Sequence, residues 1–522
     1  MTFYVWFNMA PLAAMMLQSE DWLTREDIQI FAIANVALTI LARVFVGMAL
    51  DRWGPRRVFS ALLVVMAIPT FVFAFGDSRE VLFVSRLVMS CIGASFVIGI
   101  HMTALWFKPR DIGFAEGFYA GWGNFGSAGA ALTIPSIALY VFGGDDGWRY
   151  AIALSGTVMA LYGVIYWFAI TDGPKADTQR KPRKTSAMEV SSYGDMVLHI
   201  IFTAALTGVL SLVVLQMERA NFIDDQTAFW LYLGIGLIIA YQVLQILRVN
   251  LPLLKRGVPE DDRYPYKSVA ALNITYIANF GAAIAIVSML PLFFFDTWGL
   301  TLVQAGLVAS SFALLEVIAR PVGGMVSDRY GNRRFVMMAY MFGIGLGAAL
   351  MGLLDSTWPL VVAIAFTMFL SVFVQGAEGA TFGILPSIKR RLTGQISGMC
   401  GAYGNAGAVL YLFLLTMVTP QQFFFIIAAG AFFSWLVCVI WLQEPKGGFD
   451  ENYVLSSVDH AIAEENRLKE DARSRLGQFL AGNQGVELSQ KNDGFQLTAK
   501  FRDLDDLRTL VQQLEQKGLK GH

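Results

Sequence analysis

ALTILARVFVGMALDRWGPRR, from Ala37 to Arg57, returns near the other end of the chain as ALLEVIARPVGGMVSDRYGNRR, from Ala313 to Arg334. One offset aligns Arg43 with Arg320, Gly47 with Gly324, Asp51 with Asp328, Arg52 with Arg329, Gly54 with Gly331, and Arg56 and Arg57 with Arg333 and Arg334. Such internal repetition marks a duplicated fold. Each copy holds an arginine alone in an apolar run and, eight residues later, a charged turn containing glycine. The turn reads as a connector at a membrane surface. The arginine, two helical turns deeper, reads as a residue inside the bilayer, where even the lenient insertion scale puts its cost at about 2.5–3.5 kcal/mol. Two arginines at matched positions therefore need a function.

The 522 residues are 56% hydrophobic and 15% charged, with 40 phenylalanines and a mean hydropathy of +0.54. A soluble domain of this size could not hide so much apolar surface, and the apolar residues come in runs of bilayer-spanning length. The fold class is all-α, a polytopic membrane protein in contact with the lipid bilayer. A net charge of −1 gives no attraction to nucleic acid. Cys91, Cys400 and Cys438 fall in apolar runs without ligand-like spacing, so neither a disulfide framework nor a metal site is indicated. No cofactor is expected, and the loops carry no catalytic constellation of an enzyme. Phe3 to Leu17 lacks a basic leader and a cleavage site. It is short for a span, which leaves two options open: a native start upstream of Met1, or a short first helix.

Spans of roughly twenty residues fall near 2–18, 28–50, 58–76, 81–106, 114–142 and 149–170, then near 196–216 and 229–248, and finally near 268–295, 302–326, 335–354, 358–385, 394–418 and 421–443. That is about fourteen: a six-helix half over 1–171, basic linkers and an extra hairpin over 172–266, and a second half over 267–443. Lys and Arg gather in alternate connectors (Arg52 to Arg57, Lys108 and Arg110, Lys175 to Lys184, Lys255 to Lys267, Arg329 to Arg334, Lys389 to Arg391), while those between are acidic. Basic connectors face the cytoplasm, so both termini are expected there, with the chain in the cell membrane. The tail, 444–522, reads as a small cytoplasmic unit. It has a helical segment from Tyr453 to Arg475, alternation around an Asn-Asp-Gly turn from Gly485 to Phe501, and a leucine stripe at Leu504, Leu507, Leu510 and Leu514. A partly disordered tail is the other reading.

A second repeat is more specific. GFAEGFYAGWGNFGSAGAA from Gly113 matches GQISGMCGAYGNAGAVLY from Gly394, setting Gly117 on Gly398, Gly123 on Gly404, Asn124 on Asn405 and Gly126 on Gly407. Glycines three and four apart let another backbone approach closely and suit sliding contacts. They do not call for the asparagines, whose amides need partners in hydrocarbon.

The Gly-x-x-x-Asp-Arg-x-Gly-x-Arg-Arg turns resemble the signature between the second and third helices of each half in the major facilitator superfamily. The paired glycine-asparagine elements resemble the signature of its nitrate/nitrite porter family. Trp6-Phe7-Asn8 is similar to that family's first helix, and Gly376-Ala377-Glu378-Gly379-Ala380-Thr381-Phe382-Gly383 to the tenth helix of its proton-coupled importers. The resemblance implies a secondary carrier of nitrate, and of nitrite, working by alternating access. Asp51, Arg52, Arg56, Asp328, Arg329 and Arg333 would latch its cytoplasmic side, although orientation alone also explains arginines there. It further implies Arg43 and Arg320 as anion ligands, Phe96 and Phe280 as aromatic walls, Tyr276 as a hydrogen-bond donor, and Asn124 and Asn405 beside them.

Physical chemistry agrees: a guanidinium is planar, permanently charged and a two-pronged donor, suited to a small flat oxyanion. Two facing each other would form a cationic pocket neutral only with its anion. Glu316 breaks that symmetry. It lies four residues before Arg320, where it can neutralise it, whereas its counterpart before Arg43 is Thr39. Glu316 and Glu378 are also the candidate proton carriers, Glu378 having Arg86 as an alternative partner. Proton-coupled import is the reading taken, with exchange of nitrate for nitrite as the alternative; a membrane anion sensor signalling through the tail to a cytoplasmic regulator is the rival from another class, and no nucleotide-binding motif supports it.

Overall fold

The computed structural model describes residues 1–106, 112–171, 187–389, 392–445, 456–461, 464, 486–491 and 494–499. Lys108, Arg110, Lys175 to Lys184, Arg391 and the stripe from Leu504 to Leu514 lie outside them. Two compact units emerge. One comprises Met1–Gln179, Lys184–Val258 and Arg263–Val454; the other comprises Arg180–Arg183, Pro259–Asp262 and Leu455–His522. In the second unit, Ser456 Oγ donates to Asp262 Oδ1 at 2.6 Å, and strands Val486–Lys491 and Gly494–Ala499 pair antiparallel, with Lys491 opposite Gly494.

The larger unit is helical. Among the described residues, twelve helical segments, from Pro55–Ala74 to Pro420–Trp441, are long and apolar enough to cross a membrane. Before them come 2–19 and 25–53, each broken into shorter helices. The first is Thr2–Trp6, Ala10–Leu12 and Ala13–Ser19, with Pro11 at the first break. The extra pair is Tyr193–Gly208 with Leu210–Arg219, then Asp225–Arg256, capped by Ser192 and Asp224 side chains.

The duplication persists in backbone detail. Gly54 and Gly331, at matched places in the charged turns, both have φ of +78°, a conformation nearly closed to other residues. Helices Arg25–Ala37 and Leu302–Leu314 both stop one residue short of the next helix, at Leu38 and Leu315, five residues before Arg43 and Arg320. At the first break, Ser90 Oγ accepts from the Leu38 backbone N–H at 3.0 Å and Thr39 Oγ1 donates to Ser90 O at 2.6 Å.

The glycine-rich helices cross between the halves. Ile112–Ser136 packs on Leu302–Leu314 and Glu316–Arg329; Thr393–Leu415 packs on Arg25–Ala37 and Thr39–Trp53. A Cβ at Gly121 would lie 3.0 Å from Glu316 O, and one at Gly126 would lie 2.7 Å from Tyr4 N. Gly117 lies in ordinary contact with Pro321, and a Cβ at Gly407 would meet Ile277 Cα at 2.8 Å. Gly123 and Gly398 depart from the expected packing face: a Cβ on either meets nothing within 4 Å. A close helix pair lies inside the second half, where Gly379 admits the Arg320 carbonyl and Gly323 meets the Gly376 backbone.

Candidate functional site

Helix Thr39–Trp53 places Arg43, and Ser95–Trp106 places Phe96 under it, with the guanidinium carbon 5.4 Å from the ring centre. Arg43 is buried. Its Nη1 donates to Gly401 O at 2.7 Å, while Nε and Nη2 find no hydrogen-bond partner among the described residues. A buried cation with two unused donors is costly unless something accepts them.

Arg320 reaches the same ring, 5.8 Å from its centre, and lies 5.9 Å from the centre of Phe382. Its surroundings differ. Nη1 donates to Glu316 Oε1 at 2.7 Å and lies 2.6 Å from Glu378 Oε2; Nη2 is 3.5 Å from Tyr276 Oη. Arg320, Glu316 and Glu378 are all fully or nearly fully buried. Glu316 Oε1 also accepts from Asn124 Nδ2, a bond from the first half to the second. The pocket is thus not the doubly cationic one that the two arginines alone suggest. Two carboxylates lie against Arg320, while Arg43 has Gly401 O. Glu378 does not pair with Arg86, which donates to Asn8 Oδ1 at 2.9 Å and Trp6 O at 3.2 Å over the ring of Phe73.

Tyr276 and Phe280 come from a stretch where the helix changes its winding. The helix Tyr266–Tyr276 loosens into a π-helical turn, Ile277–Gly281, of the kind that gathers at functional sites. Tyr276 stacks on Phe280 at 5.2 Å, and Phe280 and Phe382 lie 6.4 and 6.1 Å from Phe96. Gly404 makes room for this stack: a Cβ there would come within 2.7 Å of Tyr276 and 2.6 Å of Phe280. Asn405 does not mirror Asn124. It donates to Gly401 O on its own helix at 3.0 Å, and Oδ1 has no partner among the described residues.

A family profile described as the Major Facilitator Superfamily matches residues 1–262 and 272–475. The chain is 40% identical over 460 residues to the nitrate/nitrite transporter NrtP of Nostoc punctiforme, covering 87% of this chain and 92% of that one. It belongs to the nitrate/nitrite porter family of the major facilitator superfamily. The NrtP of a Picosynechococcus strain is 38% identical, and the probable nitrate/nitrite antiporter NarK1 of Thermus thermophilus 26%. Among solved structures, the E. coli xylose transporter XylE superposes with a TM-score of 0.56 at 12% identity, over 85% of this chain and 95% of that one, which speaks to the fold alone.

In this porter-family chain four of the residues singled out for a latch have described side chains. Asp328 pairs with Arg333 at 2.9 Å, inside one turn, and Arg333 also donates to Gly383 O. Arg329 is exposed, and Arg56 lies over Trp167 at 5.5 Å. The side chains of Asp51 and Arg52 lie outside the described set. Two contributors escaped notice in the sequence. Phe382 stood within a quoted motif as one aromatic among many. Gly401 acts through its carbonyl, which no side-chain pattern reports.

Proposed function

We propose that this carrier moves nitrate and nitrite across a cell membrane by alternating access, importing nitrate together with protons. The nitrate/nitrite transporters it matches over nearly their whole length support the substrate. The observation that carries the site is Arg43: a buried guanidinium over the ring of Phe96, with two donors that find no partner among the described residues, offers a flat oxyanion a fork. Tyr276 and Asn124 join the same cluster through Arg320 and Glu316.

Charge favours the proton. With both carboxylates ionised, Glu316 and Glu378 on Arg320 offset the two guanidinium charges in sum, so an anion arriving alone buries a net negative charge, at a cost of several kcal/mol. A proton on one carboxylate removes it. Basic connectors on the cytoplasmic side put both termini there, and the tail beyond 444 becomes a contact for a cytoplasmic regulator. Exchange is the second reading, favoured by the antiporter name of the Thermus relative. Labelled-nitrate uptake into proteoliposomes under an imposed pH gradient separates them. Gradient-driven accumulation without internal nitrite is expected, and uptake that ignores the gradient but needs internal nitrite overturns the coupling.

A further inference from the structure

Glu316 stands out because of what it touches. Its carboxylate is flat, singly negative and two-oxygened, as nitrate is, and one oxygen takes a guanidinium N–H from Arg320 and an amide N–H from Asn124. Those are the donors a small oxyanion would seek. The matched residue of the first half, Thr39, turns away to Ser90 O and leaves Arg43 with donors to spare.

We propose that Glu316 is a tethered stand-in for the travelling anion. In the empty carrier it holds Arg320 and Asn124, and a proton arriving on Glu316 frees both donors for nitrate. This rests on the proton-coupled reading above and assigns the coupling to one residue. Asn124 is then a positioning residue that reads the proton. Deprotonated, Glu316 accepts from its Nδ2. Once protonated, the carboxyl O–H has an acceptor in Asn124 Oδ1, which is buried and unpartnered among the described residues.

The groups facing Glu316 define what its proton must contend with. Arg320 lies on its own helix, and Glu378 comes from Leu360–Ile388. The neighbouring Leu302–Leu314 carries no ionisable side chain. Arg333, on Arg333–Gly352, is taken by Asp328 and Gly383 O. Ile112–Ser136 contributes Asn124 among its described side chains, with Tyr119 turned instead toward Phe96. Tyr276 reaches Glu316 only through Arg320. Glu316 also sits on the second half while Asn124 sits on the first, so its protonation is felt across the contact that alternating access must break.

The test compares wild type and Glu316→Gln in proteoliposomes, scored by the ratio of nitrate uptake with and without an inward proton gradient and by the pH dependence of KM. In wild type the gradient raises uptake and KM climbs with pH. In E316Q both dependences are lost. A wild type indifferent to the gradient overturns the coupling itself. A coupled wild type with an equally coupled E316Q overturns this assignment alone. A second measurement needs no variant at residue 316. Purified wild type in weakly buffered detergent takes up protons as nitrate binds, and Asn124→Ala shifts the pH at which it does so. Binding without proton uptake overturns the proposal, as does an unshifted pH profile in N124A.

Discussion

Arg43 and Arg320 follow matching helix breaks and share the Phe96 ring, yet Arg43 has two donors without a partner among the described residues while Arg320 is held by two carboxylates. The divergence begins at a single aligned pair, Thr39 against Glu316. The internal repeat supplies two matched cations, and the residue four positions before each makes them unequal. In the first half Arg43 donates to a single backbone carbonyl; in the second, Arg320 is held by two carboxylates.

The largest effect expected from breaking this contrast is on stability. Arg320→Ala strands Glu316 and Glu378 against each other in hydrocarbon, a loss of about 3–5 kcal/mol, whereas Arg43→Ala leaves the Gly401 carbonyl still accepting from Asn405 Nδ2 and costs about 1 kcal/mol. Melting temperatures in detergent should fall in that order, and equal falls would erase the asymmetry. Next comes transport. Arg43→Lys keeps the charge and loses the fork, and forfeiting one charge-assisted hydrogen bond of about 1.5–3 kcal/mol lowers kcat/KM for nitrate roughly 10- to 150-fold. Unchanged uptake by R43K removes Arg43 from the site.

The aligned glycines sharpen the same comparison. Gly404 is pressed between Tyr276 and Phe280, while its counterpart Gly123 faces open space. Overpacking makes Gly404→Ala cost about 1–3 kcal/mol, and Gly123→Ala, relieved of backbone entropy, leaves stability level or raises it by up to about 1 kcal/mol. Thermal shift on the two variants decides the matter, and a Gly123→Ala that destabilises as much denies the inequality. The smallest effect belongs to the shared ring. Phe96→Leu removes a cation–π contact from both arginines, about 0.5–2 kcal/mol, and should raise the KM for nitrate several-fold with little change in maximal rate.

Much of this was legible beforehand. Hydropathy gave the spans, and the repeat gave the halves and the arginine pair. The glycine-asparagine elements pointed to the helices that cross between halves, as they do. Glu316 was visible as a neighbour of Arg320 from its spacing of four on one helix face. What failed was partnership across chain distance. Glu378 seemed free to meet Arg86, but Gly379 brings its helix against Arg320 instead, and Arg86 is spent on Asn8, Trp6 and Phe73. Asn124 and Asn405 look equivalent in the repeat and serve different partners.

The sequence by itself determined that the chain spans a membrane in two related halves, each burying an arginine. Hydrophobic run length and internal repetition are properties of the string, readable without knowing what touches what. Only the tertiary structure decided which arginine is neutralised and which keeps its donors. An ion pair depends on ångström-scale approach between helices far apart in the chain, and that approach is set by where glycines let backbones close.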